Sequence, residues 1–139
     1  MENNKKITVV GSGYVGMSLA TLLAKDNEVI VLDIDPERVE KINRKQSTIA
    51  DRDIDYYLTN GNLSISATLD EDLAYEGSDF IIVATPTNYD AETNRFDTHS
   101  VDSVVKTALK KNSEALVVIK STVPVGHTKS LQEKFETSR

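Results

Sequence analysis

The sequence predicts an α/β fold: a doubly wound parallel sheet of about five strands in the order 3-2-1-4-5, with helices on both faces. Three observations predict it. The segments Lys6–Val10, Glu28–Asp33, Asp79–Ala84 and Ala115–Lys120 carry short continuous apolar runs, as suits parallel strands covered on both faces. Segments with helical apolar spacing separate them. The first run passes directly into Gly11, Gly13 and Gly16, a G-x-G-x-x-G at a strand-to-helix turn.

Taken in order, Lys6–Val10 is the first strand and Tyr14 to about Lys25 the first helix, with Val15, Leu19, Leu22 and Leu23 as its apolar face. Small Ala20 and Ala24 let that helix lie near the sheet. The second strand, Glu28–Asp33, leads into DPERVEKI, where Asp35 is a good N-cap and Pro36 fits the first helical position. A short helix is expected around Asp51 to Leu58, stopping at Asn60-Gly61, with Tyr56 and Tyr57 expected to pack. Leu63–Ala67 alternates as an edge strand should, and Thr68-Leu69-Asp70-Glu71 reads as a capping box for a helix ending at Gly77. Asp79–Ala84 is the fourth strand. The polar stretch from Asn88 to Thr98 is longer than most α/β connections and reads as a functional or a mobile loop. His99–Lys111 is helical, with Val101, Val104, Val105, Ala108 and Leu109 on one face. Ala115–Lys120 is a fifth buried strand, and a last helix runs from about His127 to Phe135.

Composition bounds the function. With 139 residues the chain is one domain, short for a complete two-substrate enzyme. A net charge of −6 without a basic cluster argues against a nucleic-acid surface. The apolar runs are strand-length and MENNKK lacks the apolar region of a secretory signal, so no membrane span and a cytoplasmic location are expected. Cysteine is absent, which removes disulfides, thiolate metal sites and a cysteine nucleophile. His99 and His127 stand apart from other metal-type ligands; each reads as a surface or helix-start residue, and no metal site is expected.

The glycine turn carries the chemistry. Gly11 permits the tight turn, Gly13 lets the backbone approach a pyrophosphate, and Gly16 lets the helix sit close on the strand. Asp33 ends the second strand about 20 residues further on, where a dinucleotide site needs an acceptor for the adenosine ribose; the other reading is that it caps the turn. Arg38 either reaches the adenosine end of the ligand or is a solvated helix residue. Thr85 and Thr87 follow the fourth strand at the carboxyl edge, where ligands of open α/β sheets bind, though turn chemistry beside Pro86 also explains them. NAD is favoured over NADP, because a 2′-phosphate about 4 Å from Asp33 costs on the order of 4 kcal/mol at an effective dielectric of 20.

GSGYVG (11 to 16), VLDIDPERVEKIN (31 to 43), ATPTNYD (84 to 90) and KSTVPVGHT (120 to 128) lie in order and, together, resemble the Rossmann-like N-terminal NAD-binding domain of the UDP-glucose/GDP-mannose dehydrogenase family. ATPTNYD and RFDT (95 to 98) are most similar to its bacterial UDP-glucose 6-dehydrogenase branch. The resemblance implies a two-step, NAD-dependent oxidation of a sugar C6 alcohol to a carboxylate. It implies that Val15 and the glycine-turn backbone meet the pyrophosphate and Asp33 the ribose, with Tyr14 in the cofactor-binding set. Thr85 belongs to the cofactor-binding set, and Thr87 and Thr122 lie on the nicotinamide side, Thr122 also holding a water near the reacting carbon. Position 38, usually Lys in close relatives, is Arg here. The family's nucleophilic cysteine, its sixth strand and its dimerisation and sugar-nucleotide domains have no counterpart in this chain, which is therefore expected to be a fragment, inactive alone, of a homodimeric enzyme.

UDP-glucose is the substrate this implies, with GDP-mannose or a UDP-N-acetylhexosamine as alternatives. A non-catalytic NAD(H)-sensing module would use the same fold. An S-adenosylmethionine domain shares the glycine-rich turn and the second-strand acid, but three glycines spaced for pyrophosphate favour NAD.

Overall fold

In a computed structural model, the apolar runs pair into the sheet that their pattern predicts. The structure describes residues 5–48, 52–61, 63–85, 88–90, 92, 95–97, 99–112, 114–121 and 126–135. The chain runs β1 (Lys6–Val10), α1 (Tyr14–Leu23), β2 (Glu28–Leu32), α2 (Pro36–Asn43), α3 (Arg52–Asn60), β3 (Ile65–Thr68) and α4 (Glu71–Tyr75). It continues through β4 (Phe80–Val83), β5 (Asn88–Asp90), β6 (Arg95–Asp97), α5 (His99–Lys111), β7 (Leu116–Ile119) and α6 (His127–Lys134).

The main sheet has five strands in the order β3-β2-β1-β4-β7, every neighbouring pair parallel. This is the expected 3-2-1-4-5 arrangement. Register places Val10, Leu32, Thr68, Val83 and Ile119 in one row across it, so that Gly11, Asp33 and Ala84 all leave the sheet at the same edge.

Alternation along β1 sends Ile7 and Val9 to one face, where Met17, Ala20 and Ala24 of the α1 segment, Ile42 of α2, and Ile54 and Leu58 of α3 cover them. Val10 faces the other side, in a cluster with Ala74 and Tyr75 of α4 and Ala108 of α5. A third cluster joins Val83, Val101, Val105 and Leu131 of α6. Full burial of side chains such as Met17 and Ile42 contributes about 1.5–3 kcal/mol each. Burial, and secondly the Glu71 charge, push the Tyr75 phenol above its ordinary range.

Several local expectations are corrected. The buried face of α1 is Gly16, Met17, Ala20 and Thr21; Val15 and Leu22 are exposed, because small residues let the helix backbone approach the sheet and turn the larger ones outward. Tyr56 and Tyr57 do not enter the core. They stack edge to face at 5.9 Å, and Lys25 Nζ lies 4.3 Å from the Tyr57 ring centroid. The N-cap of α4 is Asp70, whose carboxylate accepts from the Asp72 and Leu73 amides, while Thr68 Oγ1 instead accepts from the Asp70 amide. β7 is less buried than the other strands that follow the same apolar pattern, since it stands at the edge of the sheet. The polar stretch after β4 contains an antiparallel ribbon, β5 with β6, pairing Tyr89 with Phe96.

Asn112 joins the amino-terminal side of this framework. Its Nδ2 donates to the carbonyls of Tyr75 (2.7 Å) and Ser78 (3.0 Å), and its Oδ1 accepts from the amides of Glu114 (2.9 Å) and Ala115 (2.8 Å). Asn112→Ala strands these groups in a buried setting and is expected to cost about 3 kcal/mol, read as a lowered urea midpoint with an unchanged slope.

Candidate functional site

At the end of β1 the chain must turn over the neighbouring strand. Gly11 does so at φ +105°, its amide donating to the Leu32 carbonyl (2.9 Å). A Cβ there would sit 2.6 Å from the Ala84 carbonyl oxygen. At Gly16 a Cβ would lie 2.0 Å from the Gly11 carbonyl oxygen, so α1 touches the turn backbone to backbone. Gly13 differs: its backbone is extended (φ −76°, ψ −165°) and a Cβ would meet nothing within 4 Å.

That open space lies at the start of α1. Gly13 is the N-cap and supplies no side-chain acceptor, and the first turn carries no acidic residue. The amides that begin an α-helix lack intrahelical partners and carry its positive dipole end, so this terminus can accept an anion. Tyr14 and Val15, 65% and 45% exposed, stand beside it.

Asp33 closes the site from β2. Its Oδ2 accepts from the Ser12 amide (3.0 Å) and the Ser12 hydroxyl (2.6 Å), and its Oδ1 accepts from the Asp35 amide (3.0 Å). The turn-capping reading is therefore realised, but it does not exhaust the group: a carboxylate offers about four acceptor positions, and a ribose hydroxyl needs one. Asp35 caps α2 as expected, accepting from the Glu37 amide (2.9 Å). Arg38 reaches back to the same place, with Nη1 3.9 Å from Asp33 Oδ2 and Nε 3.8 Å from Asp35 Oδ2.

Ser12 is the residue that sequence reasoning missed. It is fully buried inside the glycine turn, and its carbonyl also accepts from the Thr48 hydroxyl. A variable position within G-x-G-x-x-G carries no signal of its own; only the pairing with Asp33 reveals it.

On the β4 side, the Thr85 carbonyl accepts from Ser121 Oγ (2.6 Å), which ties the ends of β4 and β7 together. Thr85 Oγ1 lies 3.5 Å from Ser100 Oγ. The expected contributions of Thr87 and Thr122 fall outside the described residues. His127 opens α6 and pairs through Nε2 with Asp102 Oδ1 at 2.7 Å. His99 likewise opens α5. A separate groove of about 270 Å³ runs between α1 and α3, lined by Ser18, Thr21, Lys25 and Tyr57 among others, and shares Tyr14 with the site. Among the described residues, no helix is long and apolar enough to cross a membrane.

The site thus combines an open helix N-terminus, a fixed carboxylate one strand away and a cation beside it. Over residues 5–139 the chain matches the UDP-glucose/GDP-mannose dehydrogenase family, NAD binding domain. It is 48% identical over 134 residues to the UDP-glucose 6-dehydrogenase of Streptococcus pneumoniae, covering 96% of this chain and 34% of that protein. With the UDP-glucose 6-dehydrogenase of Campylobacter jejuni it shares 43% over 135 residues, again 96% of this chain and 34% of the relative. The chain therefore spans about a third of the length of these relatives. A UDP-glucose dehydrogenase structure from Pyrobaculum islandicum superposes with a TM-score of 0.84 at 24% identity, over 95% of this chain and 32% of that one, a likeness of fold.

Proposed function

The chain belongs to the UDP-glucose/GDP-mannose dehydrogenase family, as its NAD binding domain, and from that premise we propose that it holds the cofactor of a UDP-glucose 6-dehydrogenase. The observation that carries the reading is the uncapped start of α1, where Gly13 leaves the space a pyrophosphate needs and the Asp33 carboxylate stands at the neighbouring strand end. The residues present fit NAD. Bound there, NAD would supply the hydride acceptor for oxidation at the sugar C6 carbon.

On this reading the amides of Val15 and its neighbours hold the pyrophosphate, with Tyr14 alongside and Gly11 and Gly16 keeping the turn in place. Asp33 takes the adenosine ribose hydroxyls, and Ser12 fixes its orientation. Ile34, 97% exposed beside Asp33, offers an apolar surface to the adenine. Arg38 adds a cation at the adenosine end. Thr85 helps shape the carboxyl edge, with Thr87 and Thr122 toward the nicotinamide and Thr122 positioning a water. The aldehyde-oxidising cysteine and the sugar-nucleotide contacts belong to other segments of a cytoplasmic, homodimeric enzyme.

Likeness to the two bacterial relatives favours UDP-glucose over GDP-mannose or a UDP-N-acetylhexosamine. The test is the stoichiometry of the enzyme that carries this domain, purified from its own cells. Two NAD reduced for each UDP-glucose consumed is the expected result; a single NAD per sugar, or faster turnover of GDP-mannose, overturns the assignment.

A further inference from the structure

We propose that Thr48, in the connection between α2 and α3, is a positioning residue for the cofactor: its hydroxyl locks the Ser12–Gly13 peptide with the Gly13 N–H toward the pyrophosphate. The inference rests on the NAD-binding reading above and deepens it.

The way α2 ends brings the chain to this spot. The Lys45 amide donates to the Ile42 carbonyl (2.9 Å) and the Gln46 amide to the Lys41 carbonyl (2.8 Å). Lys45 itself adopts φ +64°, a left-handed conformation uncommon outside glycine. Ser47 is then held by α3, its amide donating to Asp55 Oδ1 (2.9 Å). The half-buried Thr48 beside it reaches the glycine turn, where its hydroxyl donates to the Ser12 carbonyl. Ser12 is thereby gripped from two sides: its amide and hydroxyl donate to Asp33 at the end of β2, and its carbonyl accepts from Thr48.

The Ser12 carbonyl and the Gly13 amide belong to one planar trans peptide unit, so they point in opposite directions. Holding the carbonyl on Thr48 therefore sets the direction of the Gly13 N–H, which makes no hydrogen bond among the described residues. Glycine makes such a lock necessary. It accepts φ of either sign, so the peptide before it can rotate through half a turn at little steric cost. The rotated peptide would present its carbonyl oxygen to the phosphate in place of a donor, and α1 has no side-chain cap to compensate. The residue that leaves space for the pyrophosphate thus also loosens the backbone that must bind it, and the Thr48 hydroxyl removes that looseness.

The test uses the 139-residue chain and two probes, ADP, which carries the pyrophosphate, and adenosine, which does not. By NMR titration, Thr48→Val, which keeps the shape and loses the hydroxyl, is expected to raise the ADP dissociation constant about tenfold and the adenosine constant about twofold or less. Thr48→Ser keeps the donor and should restore ADP binding to the wild-type level. In the ligand-free chain, the Gly13 amide of Thr48→Val should show microsecond-to-millisecond relaxation dispersion that the wild type and Thr48→Ser lack. Should Thr48→Val fail to fold, Thr48→Ala carries the same expectations. Equal losses for ADP and adenosine, a serine variant no better than the valine one, or a Gly13 amide without dispersion overturns the proposal. A wild-type chain that binds neither ADP nor NAD overturns instead the reading on which it rests, and the ligand-free dispersion at Gly13 still decides whether Thr48 locks the peptide.

Discussion

Gly13→Asp is expected to raise the NAD dissociation constant about 1000-fold while leaving the domain at least as stable as the wild type. A Cβ at this position meets nothing within 4 Å, and the extended backbone suits any residue. Aspartate is moreover a preferred N-cap, so its carboxylate would accept from the first free amides of α1 and steady the helix. The same carboxylate would occupy the anion site. At about 4 Å from a phosphate it costs on the order of 4 kcal/mol, the source of the 1000-fold figure. Urea denaturation and calorimetric titration of the same sample separate the two effects. Loss of stability in step with loss of affinity would contradict the claim that Gly13 is kept for a ligand.

Gly16→Ala should do the opposite. The added Cβ falls 2.0 Å from the Gly11 carbonyl oxygen and 3.0 Å from its carbon, and both are backbone atoms that no rotamer change can move away. Helix α1 must lift from the turn, disturbing Met17 and Ala20 beneath it, both fully buried. The expected cost is about 3 kcal/mol or more, read from the urea midpoint, with NAD affinity lost as a consequence of the displaced helix. An alanine variant as stable as the wild type would mean that helix and turn are not in the contact described.

The contrast between these two glycines shows what the sequence can and cannot disclose. Spacing alone marks both, and the continuous apolar runs of β1, β2 and β4 are enough to predict a parallel sheet and its order. Which glycine serves the fold and which serves a ligand depends on what surrounds each, and that is tertiary information. Asp33 was legible because a strand ends there; its bonds to Ser12 were not, because nothing in a serine flanked by glycines announces a buried partner. The outward turn of Val15 and Leu22 was hidden for a related reason. Hydrophobic spacing assigns every large apolar side chain of the stripe to the core, whereas close helix–sheet contact here places Gly16, Met17 and Ala20 against the sheet, leaves Leu19 and Leu23 half-buried and turns Val15 and Leu22 outward. The β5–β6 ribbon escaped because its three-residue strands are too short for alternation to register against a polar background.

The most direct test of the cofactor site is an amide-resolved NMR titration of the chain with NAD, NADP and S-adenosylmethionine. Saturable shifts selective for NAD are expected at Gly11, Gly13, Val15, Gly16 and Asp33, the amides that surround the open start of α1. Shifts at saturating NAD that leave Gly13 and Asp33 unmoved and gather instead along Ser18, Thr21, Lys25 and Tyr57, in the groove between α1 and α3, would contradict the account.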